Sequence, residues 1–81
     1  MDLLSYAIMN LMSKECKATT KIRAITRQKI VSDVEISGTT AYRKLKKLID
    51  IGYVKNGHKA GREHTYFITT KGIEELEEAR V

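Results

Sequence analysis

The first 14 residues carry apolar side chains around most of a helix. One helical face has the three- and four-residue spacing of apolar positions and is formed by Leu4, Ala7, Ile8 and Leu11. A second set widens this surface beyond a single stripe and consists of Leu3, Tyr6, Met9 and Met12. A helix that is apolar on most sides is usually buried on more than one side. We therefore predict a helix over residues 2–14 whose second face is covered by another copy of the chain.

Two further helices are predicted in the middle of the chain, each preceded by a residue that can cap it. Thr26 precedes a short helix over residues 27–34, and Ser37 precedes a longer one over residues 38–50. The longer helix has an apolar inner face of Ala41, Leu45, Leu48 and Ile49. Gly52 follows at the position where a left-handed residue is preferred, so we expect the helix to end there.

Strand-forming residues occur on both sides of these helices. Residues 24–25 can form a very short strand, and residues 53–55 and 63–69 can pair through the glycine-containing loop at residues 56–62. A last helix is predicted over residues 71–80, with Thr70 as its cap. The order helix, strand, helix, helix, hairpin, helix predicts an α+β, mostly helical fold, and we expect residues 1–81 to form one domain.

Composition narrows the possible functions. A chain of 81 residues is too short for a second core or a deep enclosed active site, so we expect a binding module without cofactor and not an enzyme. The one cysteine, Cys16, excludes a disulfide framework and a metal site with two thiolates. The longest run without charge, residues 3–13, is shorter than the roughly 20 residues that span a bilayer. We expect a cytoplasmic protein with no membrane partner.

The net charge of +5 is concentrated in the middle of the chain. Residues 14–64 hold thirteen Lys and Arg against five Asp and Glu, whereas residues 65–81 hold two against four. An acidic end repels a phosphate backbone, so a polyanion should meet the middle. There the predicted helix 38–50 places Thr39, Arg43, Lys46 and Lys47 opposite its apolar face. Such a helix fits the DNA major groove, where arginine can hydrogen-bond guanine.

Three segments together resemble the winged helix-turn-helix of the broad MarR, PadR and ArsR-like group of regulators. AITRQKIVSDVEIS resembles the strand, second helix and turn of that group, and SGTTAYRKLKKLIDIGYV its recognition helix and entry into the wing. REHTYFITTKGIEEL resembles the second wing strand and the start of the closing helix. Glu35 departs from the pattern, because glycine is common at that turn position. Either the turn differs or Glu35 adopts a positive φ, at a cost on the order of 1 kcal/mol.

The resemblance implies a three-helix core, a two-stranded wing hairpin and a C-terminal helix. It also implies a transcriptional regulator that binds double-stranded DNA, with helix 38–50 in the major groove and wing 57–62 on the adjacent minor groove or backbone. The DNA-binding residues would be Ser37, Thr39, Thr40, Tyr42, Arg43, Lys44, Lys46, Lys47, Lys59 and Arg62. Independently of the resemblance, the apolar excess of the first helix predicts a homodimer whose interface is formed by Leu3, Tyr6, Met9 and Met12.

Other functions remain open at this point. Winged helices also serve as protein-interaction modules without specific DNA binding, and fold alone does not separate the two. RNA or single-strand binding usually needs exposed aromatic rings, which here are limited to Tyr42 and Tyr6. We expect Cys16 to be a small buried or half-buried thiol; the alternative is a redox sensor, because the nearby Lys14 and Lys17 could lower its pKa. His58 and His64 have too few neighbouring ligands to indicate a zinc site.

Overall fold

The computed structural model describes residues 2–79, and its first helix follows directly after Asp2. Helix α1, Leu3–Asn10, is capped by the Asp2 carboxylate, which accepts a hydrogen bond of 2.7 Å from the Ser5 amide. The helix continues as a π-helical turn, Leu11–Glu15, in which the Cys16 amide donates to the Leu11 carbonyl at 2.9 Å. The predicted helix over residues 2–14 is therefore present, with a wider last turn.

Helices α2, Arg27–Val34, and α3, Gly38–Ile51, form the helix-turn-helix. The predicted caps are both confirmed. Thr26 Oγ1 accepts from the Lys29 amide at 3.1 Å, and Ser37 Oγ accepts from the Thr40 amide at 3.1 Å. Between the helices, Glu35 takes the left-handed conformation with φ 60° and ψ 51°. Of the two alternatives for this turn, the positive φ at Glu35 is the one observed.

A small antiparallel sheet has the strand order β1–β3–β2. Its strands are β1, Ile25–Thr26, β2, Val54–Asn56, and β3, Thr65–Ile68. Thr26 pairs with Thr65, and Asn56 pairs with Tyr66, so β3 is central. The connection between β2 and β3 extends to His64, two residues further than predicted. Gly52 ends α3 with φ 98°, as expected from its position.

Helix α4, Thr70–Ala79, begins one residue earlier than predicted, and its predicted cap is wrong. The capping side chain is that of Thr69, whose Oγ1 accepts from the Gly72 amide at 3.1 Å and donates to the Gly52 carbonyl at 2.7 Å. The reason is the close packing of Gly72 on Tyr53. A Cβ at Gly72 would lie 2.3 Å from the Tyr53 carbonyl oxygen, which fixes where the chain must turn into α4. The end of the predicted helix at residue 80 lies outside the described residues.

Helix α1 lies at the centre of the core and contacts α2, α3 and α4. Its residues Ile8 and Met9, and Met12 in the π-helical turn that continues it, are completely buried within one chain. This corrects the prediction that Met9 and Met12 form a dimer interface. Three helices pack against α1, and both methionines belong to the hydrophobic core of the single chain. Within residues 2–79 no helix has the length and apolar character needed to cross a membrane.

Candidate nucleic-acid interface

The N-terminus of α3 is organised by two hydroxyl groups. Ser37 Oγ caps the helix and also donates a hydrogen bond of 2.9 Å to Thr40 Oγ1. Thr40 is half-buried, whereas Thr39 is exposed beside it. Of the three predicted hydroxyl contacts, Thr39 is therefore the one most open to a ligand. Ser37 and Thr40 mainly fix the start of the helix.

The outward face of α3 carries three exposed cations. Ala41, Leu45 and Leu48 are buried, and the side chains opposite them are exposed. These exposed residues are Thr39, Arg43, Lys46 and Lys47. None of the three cations forms an ion pair with a carboxylate described between residues 2 and 79. Asp50 is exposed near the C-terminal end of the helix, so the positive charge lies in its first three turns.

Lys44 is placed differently from the other predicted contacts. Its ammonium lies 2.5 Å from Asp2 Oδ2, and its side chain is only 22% exposed. The same carboxylate caps α1 through its other oxygen. The hydrogen bond from Lys44, followed by the one from the Ser5 amide, lowers the pKa of Asp2 well below its usual range. Lys44 therefore lies on the flank of α3 that faces α1, already paired with a carboxylate.

The wing ends in a tight turn with Arg62 at its tip. Ala60 and Glu63 exchange two backbone hydrogen bonds of 3.0 and 3.1 Å, leaving Gly61 and Arg62 as the central pair. Gly61 has φ 64°, which suits the first central position of a two-residue hairpin turn. Arg62 and Lys59, the two predicted wing contacts, are both exposed. The geometry thus presents an arginine at the most projecting point of the hairpin.

A cleft separates the wing from the helix-turn-helix. Tyr42, on the wing side of α3, is 49% exposed, and the Arg27 guanidinium lies 5.7 Å from its ring centroid. The wall of the cleft is completed by Gln28, Arg62, Glu63, His64 and Tyr66. Tyr66 is only 6% exposed, in line with the expectation that the exposed aromatic rings are limited to Tyr42 and Tyr6. Among the described residues, few exposed aromatic rings are therefore available to stack on the bases of single-stranded nucleic acid.

Sequence reasoning missed Arg27, Gln28 and His64 as members of this surface. A signal for Arg27 was present in the sequence. Arg27 and Lys29 occupy the first turn of α2, where no acidic residue occurs. Cations are disfavoured at the positive end of a helix dipole, so a basic first turn suggests a bound anion. His64 could not be found in this way, because its predicted place was inside a strand.

The remaining side chains of interest show no chemistry of their own. Burial raises the pKa of the Cys16 thiol, against the direction that Lys14 and Lys17 would impose, so its reactivity is lowered. In the part of the chain that the structure describes, no three His, Cys, Asp or Glu side chains converge as a metal site.

Of the predicted dimer interface, Leu3 is 85% exposed and Tyr6 is half-buried.

Comparison with known proteins agrees with this architecture. No protein-family model matches the chain. The DNA-binding protein TubR of Clostridium botulinum C phage is 38% identical over 66 residues, which are 82% of each chain. The solution structure of the DNA-binding TubR fragment from Clostridium botulinum is 34% identical, with a TM-score of 0.77 over 98% of this chain and 96% of that one.

More distant structures share the fold. TubR from Bacillus megaterium pBM400 has a TM-score of 0.85 at 22% identity and covers 98% of this chain and 86% of its own. MarR-family regulators match with similar scores, and this chain spans about half of their length. The expected winged helix-turn-helix is thereby confirmed. With helix-turn-helix, wing and closing helix in place, and a relative of this similarity over most of its length, the chain belongs to the TubR family of winged helix-turn-helix proteins.

Proposed function

We propose that this protein binds double-stranded DNA sequence-specifically and regulates transcription. The observation that carries the proposal is the exposed face of α3, on which Arg43, Lys46 and Lys47 have no ion-pair partner among the described carboxylates. In the major groove Arg43 would hydrogen-bond guanine, and the two lysines would neutralise phosphates. The TubR relatives, described as DNA-binding, support the proposal.

Arg62 and Lys59 would make the second contact, at the minor groove or its phosphates. An arginine at the tip of a hairpin is suited to a narrow minor groove, which attracts cations. Arg27, at the start of α2, would add a phosphate contact beside the recognition helix. The alternative of a protein-interaction module is less favourable, because such a surface would be expected to carry apolar or acidic side chains.

We further propose a homodimer in which the exposed side of α1 meets its copy. Leu3 and Tyr6, together with Asp2 and Ala79, line a shallow depression where the start of α1 meets the end of α4. A two-fold axis there would present two recognition helices to a pseudo-palindromic site, with half-sites about 34 Å apart. Of the interface predicted from sequence, this proposal keeps Leu3 and Tyr6. We also propose a cytoplasmic location, because the proposed partner is DNA.

Selection of binding sites from random duplex DNA tests the proposal. The protein should enrich a defined sequence, and Arg43→Ala should weaken binding to it by roughly 1–3 kcal/mol and relax the preference. The matched control is Lys46→Ala on the same face, which should weaken all duplexes about equally. Unchanged affinity and preference in Arg43→Ala would show that α3 does not read the major groove.

A further inference from the structure

A second basic segment runs from the end of the first helix through β1 into α2, and it is not part of the recognition helix or the wing. Residues 16–32 contain five Lys and Arg and no Asp or Glu. Within it, residues 20–23 form a turn, here called the basic turn, in which the Arg23 amide donates to the Thr20 carbonyl at 3.2 Å. Lys21, Ile22 and Arg23 are all exposed on this turn. Neither cation pairs with a described carboxylate.

The basic turn is braced against the base of the wing. The His58 amide donates to the Lys21 carbonyl at 3.4 Å. A Cβ at Gly57 would lie 2.4 Å from the Ala24 Cβ and 2.8 Å from the Lys21 carbonyl oxygen. Only glycine permits so close an approach, so the turn and the wing base are held together. When the wing docks on a surface, the turn therefore docks with it.

The sheet places the basic turn on the far side of the wing from α3. Tyr66 lines the cleft next to α3, and Thr65, its neighbour in β3, points to the opposite face because side chains alternate along a strand. Thr65 Oγ1 lies 2.9 Å from the position of a Cβ at Gly57, on the face that residues 21–24 cover. The order across the molecule is therefore α3, wing, basic turn.

Ile22 supplies a second and independent observation. It is 87% exposed, although Ala18 is completely buried and Ala24 is half-buried. An apolar side chain between two cations matches the surface of a nucleic-acid backbone, where deoxyribose carbon atoms lie between phosphates. Contact with a sugar would remove this apolar surface from water, which is favourable.

We infer that the basic turn is a third DNA-contacting element, in which Lys21 and Arg23 bind backbone phosphates beyond the wing and Ile22 packs against a deoxyribose. The inference rests on the proposed duplex binding and extends its footprint outward past the minor groove. Phosphate contacts of this kind add affinity and fix position without reading sequence. The turn would therefore lengthen the protected site without changing its consensus.

The test compares two duplexes, each containing the selected sequence. One ends at the last base pair that the wing protects from hydroxyl radicals, and the other continues for a further helical turn. On the long duplex, Lys21→Ala with Arg23→Ala should reduce the slope of log affinity against log salt by about 1.8, at about 0.9 per phosphate. On the short duplex the slope should stay at the wild-type value. Lys14→Ala is the control, since Lys14 already pairs with Glu77 at 2.9 Å.

Ile22→Ser probes the apolar contact, and it should weaken binding to the long duplex by about fourfold, as expected for about one methylene group. The melting temperatures of all these variants should match the wild type, because the altered side chains are exposed. An unchanged slope on the long duplex, or an equal loss on both duplexes, would overturn the inference while Arg43→Ala still weakened binding. If the wild type bound neither duplex, the proposed function itself would fail.

Discussion

Helices α1 and α3 both start at a capped N-terminus and both carry apolar residues, yet their other faces differ. Helix α1 contacts α2, α3 and α4, and its residues Ile8 and Met9 are completely buried. Helix α3 buries Ala41, Leu45 and Leu48 on one side and leaves its opposite side exposed and basic. Most of the apolar surface of α1 is therefore buried within the chain, whereas the polar face of α3 is exposed to solvent.

This difference shows when amphipathic patterning reveals a binding face. On α3 one apolar stripe is enough to hold the helix to the core, so the rest of the helix is available to a partner. On α1 an apolar residue beyond one stripe does not by itself indicate a partner chain, because a central helix in a small fold is covered by several neighbours. Met9 is buried in this way, whereas Leu3 and Tyr6 remain accessible to the proposed second copy. Leu3 is 85% exposed and Met9 is completely buried, although the sequence pattern placed both on the same face of the helix.

The largest expected effect distinguishes core from surface on α1. Met9→Ala should lower the free energy of unfolding by about 2–5 kcal/mol, since it leaves a cavity in the packed interior. Leu3→Ala is the matched control and should change it by no more than about 0.5 kcal/mol when both variants are compared at chain concentrations low enough to keep the protein monomeric. Urea denaturation followed by circular dichroism measures both. Equal losses in the two variants would contradict the central position of α1.

A smaller effect should appear in self-association. Leu3→Glu should weaken the proposed dimer by roughly 1.5–3 kcal/mol for each side chain withdrawn from the interface. Ile22→Glu is the control, because Ile22 is equally exposed but lies on the basic turn. Sedimentation equilibrium without DNA should give about 18 kDa, twice the chain mass of 9.2 kDa, for the wild type and the control. A wild-type mass of 9.2 kDa at micromolar concentration would exclude the dimer.

The wing should contribute through charge alone. Lys59→Ala combined with Arg62→Ala should reduce the slope of log affinity against log salt by roughly one to two units, at about 0.9 per phosphate neutralised. The selected sequence should remain the same, since this contact is not expected to read bases. The slope is obtained from titrations at several salt concentrations. A slope equal to that of the wild type would remove the wing from the interface.

The smallest expected effect concerns Lys44, where α1 and α3 meet. Asp2→Asn keeps the cap on α1, because asparagine caps as well as aspartate, but it releases Lys44. The salt-dependence slope of DNA binding should then rise by up to about 0.9, and adding Lys44→Gln should reverse the rise. In the wild-type background Lys44→Gln should leave the slope unchanged. A rise that persists in the double variant would come from the loss of the Asp2 charge itself.

The same pair gives a pH dependence with a defined sign. Because the pKa of Asp2 is lowered in the folded chain, its contribution to stability is present above the ordinary value of 3.8 and is lost as the pH falls below it. The size is that of a surface ion pair, up to about 1 kcal/mol. The unfolding free energies of the wild type and of Asp2→Asn, measured from neutral pH downward, should approach each other progressively as the pH falls below 3.8 toward the lowered pKa of the folded state. Parallel curves would show that Asp2 has no such role.

Much of this protein could be predicted from local sequence signals. The caps Thr26 and Ser37, the helix end at Gly52 and the exposed face of α3 depend on nearby residues, and all were found from the sequence. The predictions that were wrong depended on distant contacts. The cap of α4 is Thr69 because Gly72 must pack on Tyr53, and Met9 is buried because three helices surround it.

The sequence by itself determined the order of elements, the winged helix-turn-helix and the basic face that begins with Thr39 and Arg43. Helical periodicity and capping act over three or four residues, so they can be read along the chain. Only the tertiary structure decided that Lys44 is paired with Asp2 and that Arg27 and His64 join the cleft beside Tyr42. These relations connect residues far apart in sequence, and their physical cause is the packing of α1, α2 and the wing around α3.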